Sequence, residues 1–192
     1  MTSGVGTADD SLPDGYVIRP ADPAEAEALR RFGAQLLGET EFFLREPAER
    51  ARDAAEMAGV IRTFARTDGA LMVNGWYRAP ADGDGRDADE VPVAEAVMIP
   101  GRLRRTRAVA TVGVGVLRAH WGRGLARALM RRIEAAARAA GHRRLELSVF
   151  APNMRARRLY EGLGYDHEGI KRRSVDLPGH GPVDEWLMAK LL

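Results

Sequence analysis

The run from Val114 to Leu129 constrains the fold most, because it dictates a strand, a turn and a helix in immediate succession. Val114-Gly115-Val116-Leu117 is an apolar strand end, and Gly122-Arg123-Gly124 opens the helix. Leu125, Leu129, Ile133, Ala136 and Ala140 then recur at helical spacing, with Arg127, Arg131, Glu134 and Arg138 on the other side. Gly141 closes the helix. A helix N-terminus carries unpaired N–H groups and positive dipole potential, so it favours anions. Gly122 and Gly124 allow the backbone to approach a ligand closely. Together these features make a candidate phosphate cradle; the plainer alternative is a tight connection. It is neither a Walker A loop nor a dinucleotide fingerprint, since no Gly-Lys-Ser/Thr follows and the third glycine and ribose-binding acid are missing.

The chain has 192 residues, which suits one domain with a sizeable core. It has no cysteine, so disulfides, thiol nucleophiles and cysteine-ligated metals are excluded. Its four histidines (120, 142, 167 and 180) lack ligand spacing, and no metal is expected. No apolar run approaches the ~20 residues of a membrane span. Residues 1–13 are polar and Gly/Asp-rich, without the pattern of a signal peptide. They are expected to be a disordered tail ahead of a domain over 14–192, in a cytoplasmic protein. Net charge is only +2; a pI of 9.3 is therefore poor evidence for nucleic-acid binding.

In chain order, Tyr16–Pro20 reads as a strand. Asp22-Pro23 caps a helix carrying Ala24, Ala28, Phe32 and Leu36, ended by Gly38. The connector Glu39–Leu44 is either an aromatic-anchored loop or a wall of a substrate pocket. A second helical region runs from Glu46-Pro47 to about Arg66. Residues 70–77 read as a strand, although Asn74-Gly75 also suits a hairpin turn. Residues 78–92 hold five acids against two arginines and are expected to be a mobile loop. Strands over 93–99 and 108–117 flank the basic turn Gly101–Arg107. After the central helix come a strand to Phe150, a helix capped by Asn153 and ended by Gly164, and a hairpin over 165–191. The order β-α-α-β-β-β-α-β-α-β-β implies one mixed α/β domain with some parallel pairing around 108–150.

Asn153 follows a strand directly, and Tyr160 lies two helical turns further on the same face. Taken singly, each is more simply a helix cap and a core tyrosine. With Trp121-Gly122-Arg123-Gly124-Leu125-Ala126 they form a pattern that resembles the GNAT superfamily of N-acetyltransferases. The family's Gln/Arg-x-x-Gly-x-Gly/Ala falls on residues 121–126. Its Asn-x-x-Ala-x-x-Leu-Tyr-x-x-x-Gly-Phe/Tyr falls on Asn153 to Tyr165. Glu39-Thr40, Glu46-Pro47 and the Arg-rich turn look like a bacterial subgroup that includes amino-acid N-acetyltransferases.

The resemblance implies a single GNAT-like domain, a mixed sheet with flanking helices, that transfers an acetyl group from acetyl-CoA to a primary amine. Residues Gly122, Arg123, Gly124, Leu125, Ala126 and Arg127 would hold the pyrophosphate. Val114, Gly115 and Val116 would hold the pantetheine arm and the acetyl carbonyl, and Asn153 the pantetheine. Tyr160 would be the general acid, since a phenol of pKa near ~10 can protonate a thiolate of pKa near ~8.5. The sequence departs from the pattern at Trp121, at Ser148, where some members carry a catalytic Glu, and at Thr111, where related sequences often carry Glu. Glu146, on the face of Ser148, is a candidate general base, as are Glu39, Glu41 and His120. The expected acceptor is a small-molecule amine such as an amino acid, without nucleic acid or membrane; a homodimer is open to it. The alternatives are a protein N-terminal or lysine acetyltransferase and a non-catalytic CoA-binding regulatory module.

Overall fold

The computed structural model describes residues 12–80 and 89–192. Most of the expected tail, and the centre of the acidic insert, lie outside them. Seven strands form one sheet: β1 (Tyr16–Pro20), β2 (Leu71–Tyr77), β3 (Val91–Pro100), β4 (Val109–Val116), β5 (Arg144–Phe150), β6 (Asp166–Leu177) and β7 (Gly181–Leu191). Four helices flank it: α1 (Ala26–Glu39), α2 (Ala54–Arg66), α3 (Leu125–Ala139) and α4 (Met154–Glu161). The element order is the one read from the sequence. The sheet order is β1-β2-β3-β4-β5-β7-β6, and β4–β5 is the parallel pair.

Alternation along the strands divides the core into two layers. On one face, Leu129, Met130, Ile133 and Ala137 of α3 and Tyr160 of α4 pack on Ala94, Ala96, Ala110, Val112, Leu145 and Leu147. On the other, Leu29 of α1 and Met57 and Ile61 of α2 pack on Met72 and Trp76. Each face must be covered because β2, β3 and β5 carry apolar residues on both sides.

Three local expectations change. Asn74-Gly75 makes no turn: β2 runs through it with a bulge at Gly75/Trp76, and buried Asn74 donates from Nδ2 to the Ala94 carbonyl at 3.3 Å. Alternation with Met72 and Trp76 places it in the sheet, and that pairing outweighs local turn preference. The first helix begins as a 3₁₀ turn over Pro23–Glu25, capped by Asp22, and passes Gly38 to end at Glu39. The second helical region is split: Pro47–Glu49 is a 3₁₀ turn, and α2 starts only where the Asp53 side chain accepts from Glu56 N–H.

Candidate active site

The strand–turn–helix run folds as its glycines require. Gly122 and Gly124 have φ of +76° and +80°, in the left-handed region that side chains avoid. A Cβ at either would meet nothing within 4 Å, so conformation rather than crowding demands glycine. Gly124 is the N-cap of α3 and offers no side-chain cap. The first intrahelical bond runs from Ala128 N–H to the Gly124 carbonyl, so the N–H groups of Leu125, Ala126 and Arg127 point out of the helix end.

β4 approaches this turn with half of its backbone uncommitted. It pairs with β5 only at Val109, Ala110 and Thr111, opposite Arg144, Leu145 and Glu146. Beyond Thr111 the two strands diverge. Gly101 N–H bonds the Val109 carbonyl and Leu117 N–H bonds the Val93 carbonyl, so odd-numbered β4 residues serve β3. Val114 and Val116 turn their backbone groups toward the gap, while Gly115 pairs with Glu95. The Trp121 indole N–H donates to the Val116 carbonyl at 2.7 Å. Its ring lies 4.2 Å from the Arg155 guanidinium of α4. Trp121 therefore ties the turn to the end of β4 and to the helix beyond the gap.

α4 supplies the other expected groups. Asn153 Oδ1 accepts from Ala156 N–H at 3.1 Å; as the cap it keeps its Nδ2 protons available. Tyr160 is buried beside Tyr165, ring centroids 5.7 Å apart, and burial pushes its hydroxyl up to about 12. It therefore stays protonated across the neutral range and is suited to give a proton. Arg127 is committed to packing, since its Nη1 donates to the Gly162 carbonyl at 2.9 Å. Arg123 lies 5.8 Å from the Tyr16 ring.

The expected proton acceptors do not converge on the gap. Glu39 Oε2 accepts from Arg118 N–H at 2.7 Å, and its carbonyl accepts from the Arg118 guanidinium; it fastens the end of α1 to the turn. His120 Nδ1 is 2.7 Å from the Tyr16 hydroxyl, and burial and then Arg123 lower its pKa. Glu41 pairs with His180 of the β6–β7 turn at 3.2 Å. Glu146 pairs with Arg144 at 3.3 Å, beside Thr111 where the strands are still closed. Among the described residues no group of three His, Asp or Glu could hold a metal ion. No helix among them is long and apolar enough to cross a membrane.

A carboxylate not read as a site residue in the sequence lies against Ser148 of β5. Glu185 of β7 is 4% exposed and accepts from Ser148 Oγ at 2.6 Å and Ser174 Oγ at 2.9 Å. No local signal marks it. Only the β5–β7 register, with Ser148 opposite Leu187 and Phe150 opposite Glu185, brings it to Ser148.

The family model for the acetyltransferase (GNAT) family matches residues 76–165. Solved structures share the chain's fold. A GNAT-family acetyltransferase from Streptococcus pneumoniae is 24% identical, with a TM-score of 0.81 over 92% of this chain and 99% of that one. A ribosomal-protein-alanine N-acetyltransferase from Brucella melitensis is 21% identical, with a TM-score of 0.72 over 92% and 99%. A GNAT superfamily phosphinothricin acetyltransferase from Sinorhizobium meliloti, in complex with AcCoA, is 18% identical, with a TM-score of 0.70 over 93% and 89%. No curated protein matches the chain. The GNAT match spans the divergent β4, the glycine turn, Asn153 and Tyr160.

Proposed function

We propose that the chain is an N-acetyltransferase that moves the acetyl group of acetyl-CoA onto a primary amine, and that the amine belongs to a small molecule such as an amino acid. The observation carrying this reading is the divergence of β4 from β5 in line with the N-terminus of α3. A pyrophosphate suits the N–H groups of Leu125, Ala126 and Arg127, beside the Gly122-Arg123-Gly124 turn. A pantetheine arm, with its own amide groups, suits the strand edge at Val114 and Val116. Asn153 Nδ2 is placed to donate to the same arm.

Transfer forms an N–C bond and breaks the thioester C–S bond. The amine must first lose a proton. The tetrahedral oxyanion is met by strand N–H groups at the gap. Tyr160 gives its proton to the departing thiolate.

The small-molecule acceptor is supported by the strap over the α1–α2 face. Phe43 presses on Gly115, where an added Cβ would lie 2.7 Å from its ring, and Glu41 meets His180 across the face. Such a strap leaves less room for a peptide than for a free amine. The test measures thermal stabilisation by acetyl-CoA, then release of free CoA with a panel of free amino acids, other small amines and short peptides. Stabilisation and amine-dependent release are expected, with free amines preferred. Absence of stabilisation at saturating acetyl-CoA removes the reading. Stabilisation without release from any amine favours a CoA-binding module, and a preference for peptides favours a protein acceptor.

A further inference from the structure

The α1–α2 face of the sheet holds a second set of groups beside the gap. Register places Glu95, Gly113, Gly115, Ser148, Phe150 and Glu185 on this face, opposite the face that packs Tyr160. Glu95 is already paired: Arg50 Nη2 lies 3.1 Å from it. A Cβ on Gly113 would meet only a Val97 methyl, at 3.8 Å, so the sheet surface there is open, whereas Leu36 and Phe43 cover Gly115 beside Glu95. Ser148 is partly accessible and lies two residues past the last β4–β5 pair. Glu185 lies buried behind it.

The surroundings of Glu185 are built rather than incidental. β6 slips register between Lys171 and Val175, and within that slip Arg173 adopts φ +51°. A left-handed non-glycine residue is strained and needs surrounding structure to hold it. Here Asp184 holds it, accepting from Arg173 N–H at 2.7 Å. The slip delivers the Ser174 hydroxyl to Glu185 Oε1. The nearest cation, Lys171 Nζ, stays 3.8 Å away, and its side chain is 55% exposed. A buried carboxylate is thus held by two hydroxyls, at 2.6 and 2.9 Å, with one half-exposed ammonium further off at 3.8 Å. Glu95, Glu41 and Glu146 have closer cationic or imidazole partners, at 3.1, 3.2 and 3.3 Å.

We propose that Ser148 and Glu185 form the proton-accepting pair of the acceptor site. The proposal rests on the acetyl-transfer reading above. The incoming ammonium gives a proton to Ser148 Oγ as Ser148 passes its own to Glu185 Oε2. The neutral nitrogen then attacks the thioester carbon, the C–S bond breaks, and Tyr160 protonates the thiolate from the other face. As the tetrahedral intermediate collapses, the surplus N–H proton passes to solvent, Glu185 returns its proton to solvent through Ser148, and solvent reprotonates Tyr160. The sum is ammonium plus thioester giving amide, thiol and one released proton. Ser148 is the group that touches the amine; Glu185 acts through it, as a positioning and proton-storing residue.

The test uses two amines of one shape and different basicity, ethylamine and trifluoroethylamine, with the full chain, acetyl-CoA and kcat/KM as readout. Glu185→Gln is expected to lose about 10²-fold or more with ethylamine near neutral pH. It should lose less than tenfold with the fluorinated amine, which already enters neutral. The ethylamine deficit should close as pH rises toward that amine's own pKa. Ser148→Ala should show the same selectivity, which keeps the test alive if the buried substitution unfolds the chain. Equal losses on the two amines, or no loss, overturn the pair. Turnover of other amines but not of ethylamine overturns it too. A wild-type chain that acetyl-CoA fails to stabilise instead defeats the acetyl-transfer reading itself.

Discussion

The donor and acceptor sides proposed for the gap are made from different materials. The donor side is largely backbone: the β4 edge at Val114 and Val116, the left-handed Gly122 and Gly124, and the first N–H groups of α3. The acceptor side is side chains from distant segments: Ser148 with Glu185, Glu95 with Arg50, Glu41 with His180. Backbone sites demand glycine and helix-start residues within one short run. Side-chain sites demand only that strands pair in the right register. The first kind is suited to a chemically constant ligand, and the second to one that differs between enzymes of the same fold.

This difference predicts that acid and cofactor binding separate cleanly. Tyr160→Phe keeps the ring in the core and removes only the hydroxyl, so turnover should fall about 10²-fold or more. Stabilisation by acetyl-CoA should stay at the wild-type value, as read by thermal shift. Because burial holds the hydroxyl near 12, the wild-type turnover profile should show no alkaline loss from this group below about pH 10. Unchanged turnover in the variant would remove Tyr160 from the chemistry.

A smaller effect tests whether the acceptor side is built independently of the donor side. A Cβ on Gly33 of α1 would lie 1.9 Å from Arg50 Nε. Gly33→Ala should therefore displace Arg50 and leave Glu95 unpaired. Losing one partner of a largely buried pair costs about 3 kcal/mol, and alanine returns about 1 kcal/mol of helix propensity. A net loss of about 2 kcal/mol is expected in denaturant unfolding, with acetyl-CoA affinity unchanged. A stabilised variant would show that Arg50 is free to move without cost.

Legibility followed the same division. The element order, the glycine turn and the Asn153–Tyr160 helix are visible because each depends on residues a few positions apart. The β4–β5 divergence is not, since nothing between Thr111 and Val116 says where pairing with β5 stops. Ser148 reads in sequence as the loss of a carboxylate. Its hydroxyl instead meets Glu185, 37 residues away in the chain, and only β5–β7 pairing makes them neighbours. Glu39 reads as a pocket acid but serves as a bracket for Arg118, because α1 runs one residue past Gly38 and brings its carboxylate to the turn.

Trp121 probes the donor side alone. Trp121→Phe retains an aromatic face for Arg155 but loses the bond to the Val116 carbonyl. A hydrogen bond of this kind contributes about 1 kcal/mol, so acetyl-CoA affinity should weaken about fivefold by titration calorimetry. Selectivity between ethylamine and trifluoroethylamine should not change. If it changes, the turn and the acceptor face are coupled through β4, and the two sides are not independent.

The smallest effect belongs outside both sides. Glu27 in the first turn of α1 accepts from Arg30 at 2.8 Å and Arg31 at 2.7 Å. These hydrogen bonds hold its carboxyl at about 2, against an ordinary value of 4.5. A carboxylate depressed in the folded state adds stability above its unfolded pKa and loses it as pH falls through the folded one. Glu27→Gln should therefore melt slightly below wild type at neutral pH, and the two curves should merge as pH drops from about 4.5 toward 2. The group lies at the surface, so salt should shrink the neutral-pH gap. A gap that survives at pH 2 would mean that glutamine disturbs α1 by packing, not by charge. Acetyl-CoA affinity and amine selectivity should be those of wild type, because α1 reaches the donor turn through Glu39 at its far end and not through its first turn.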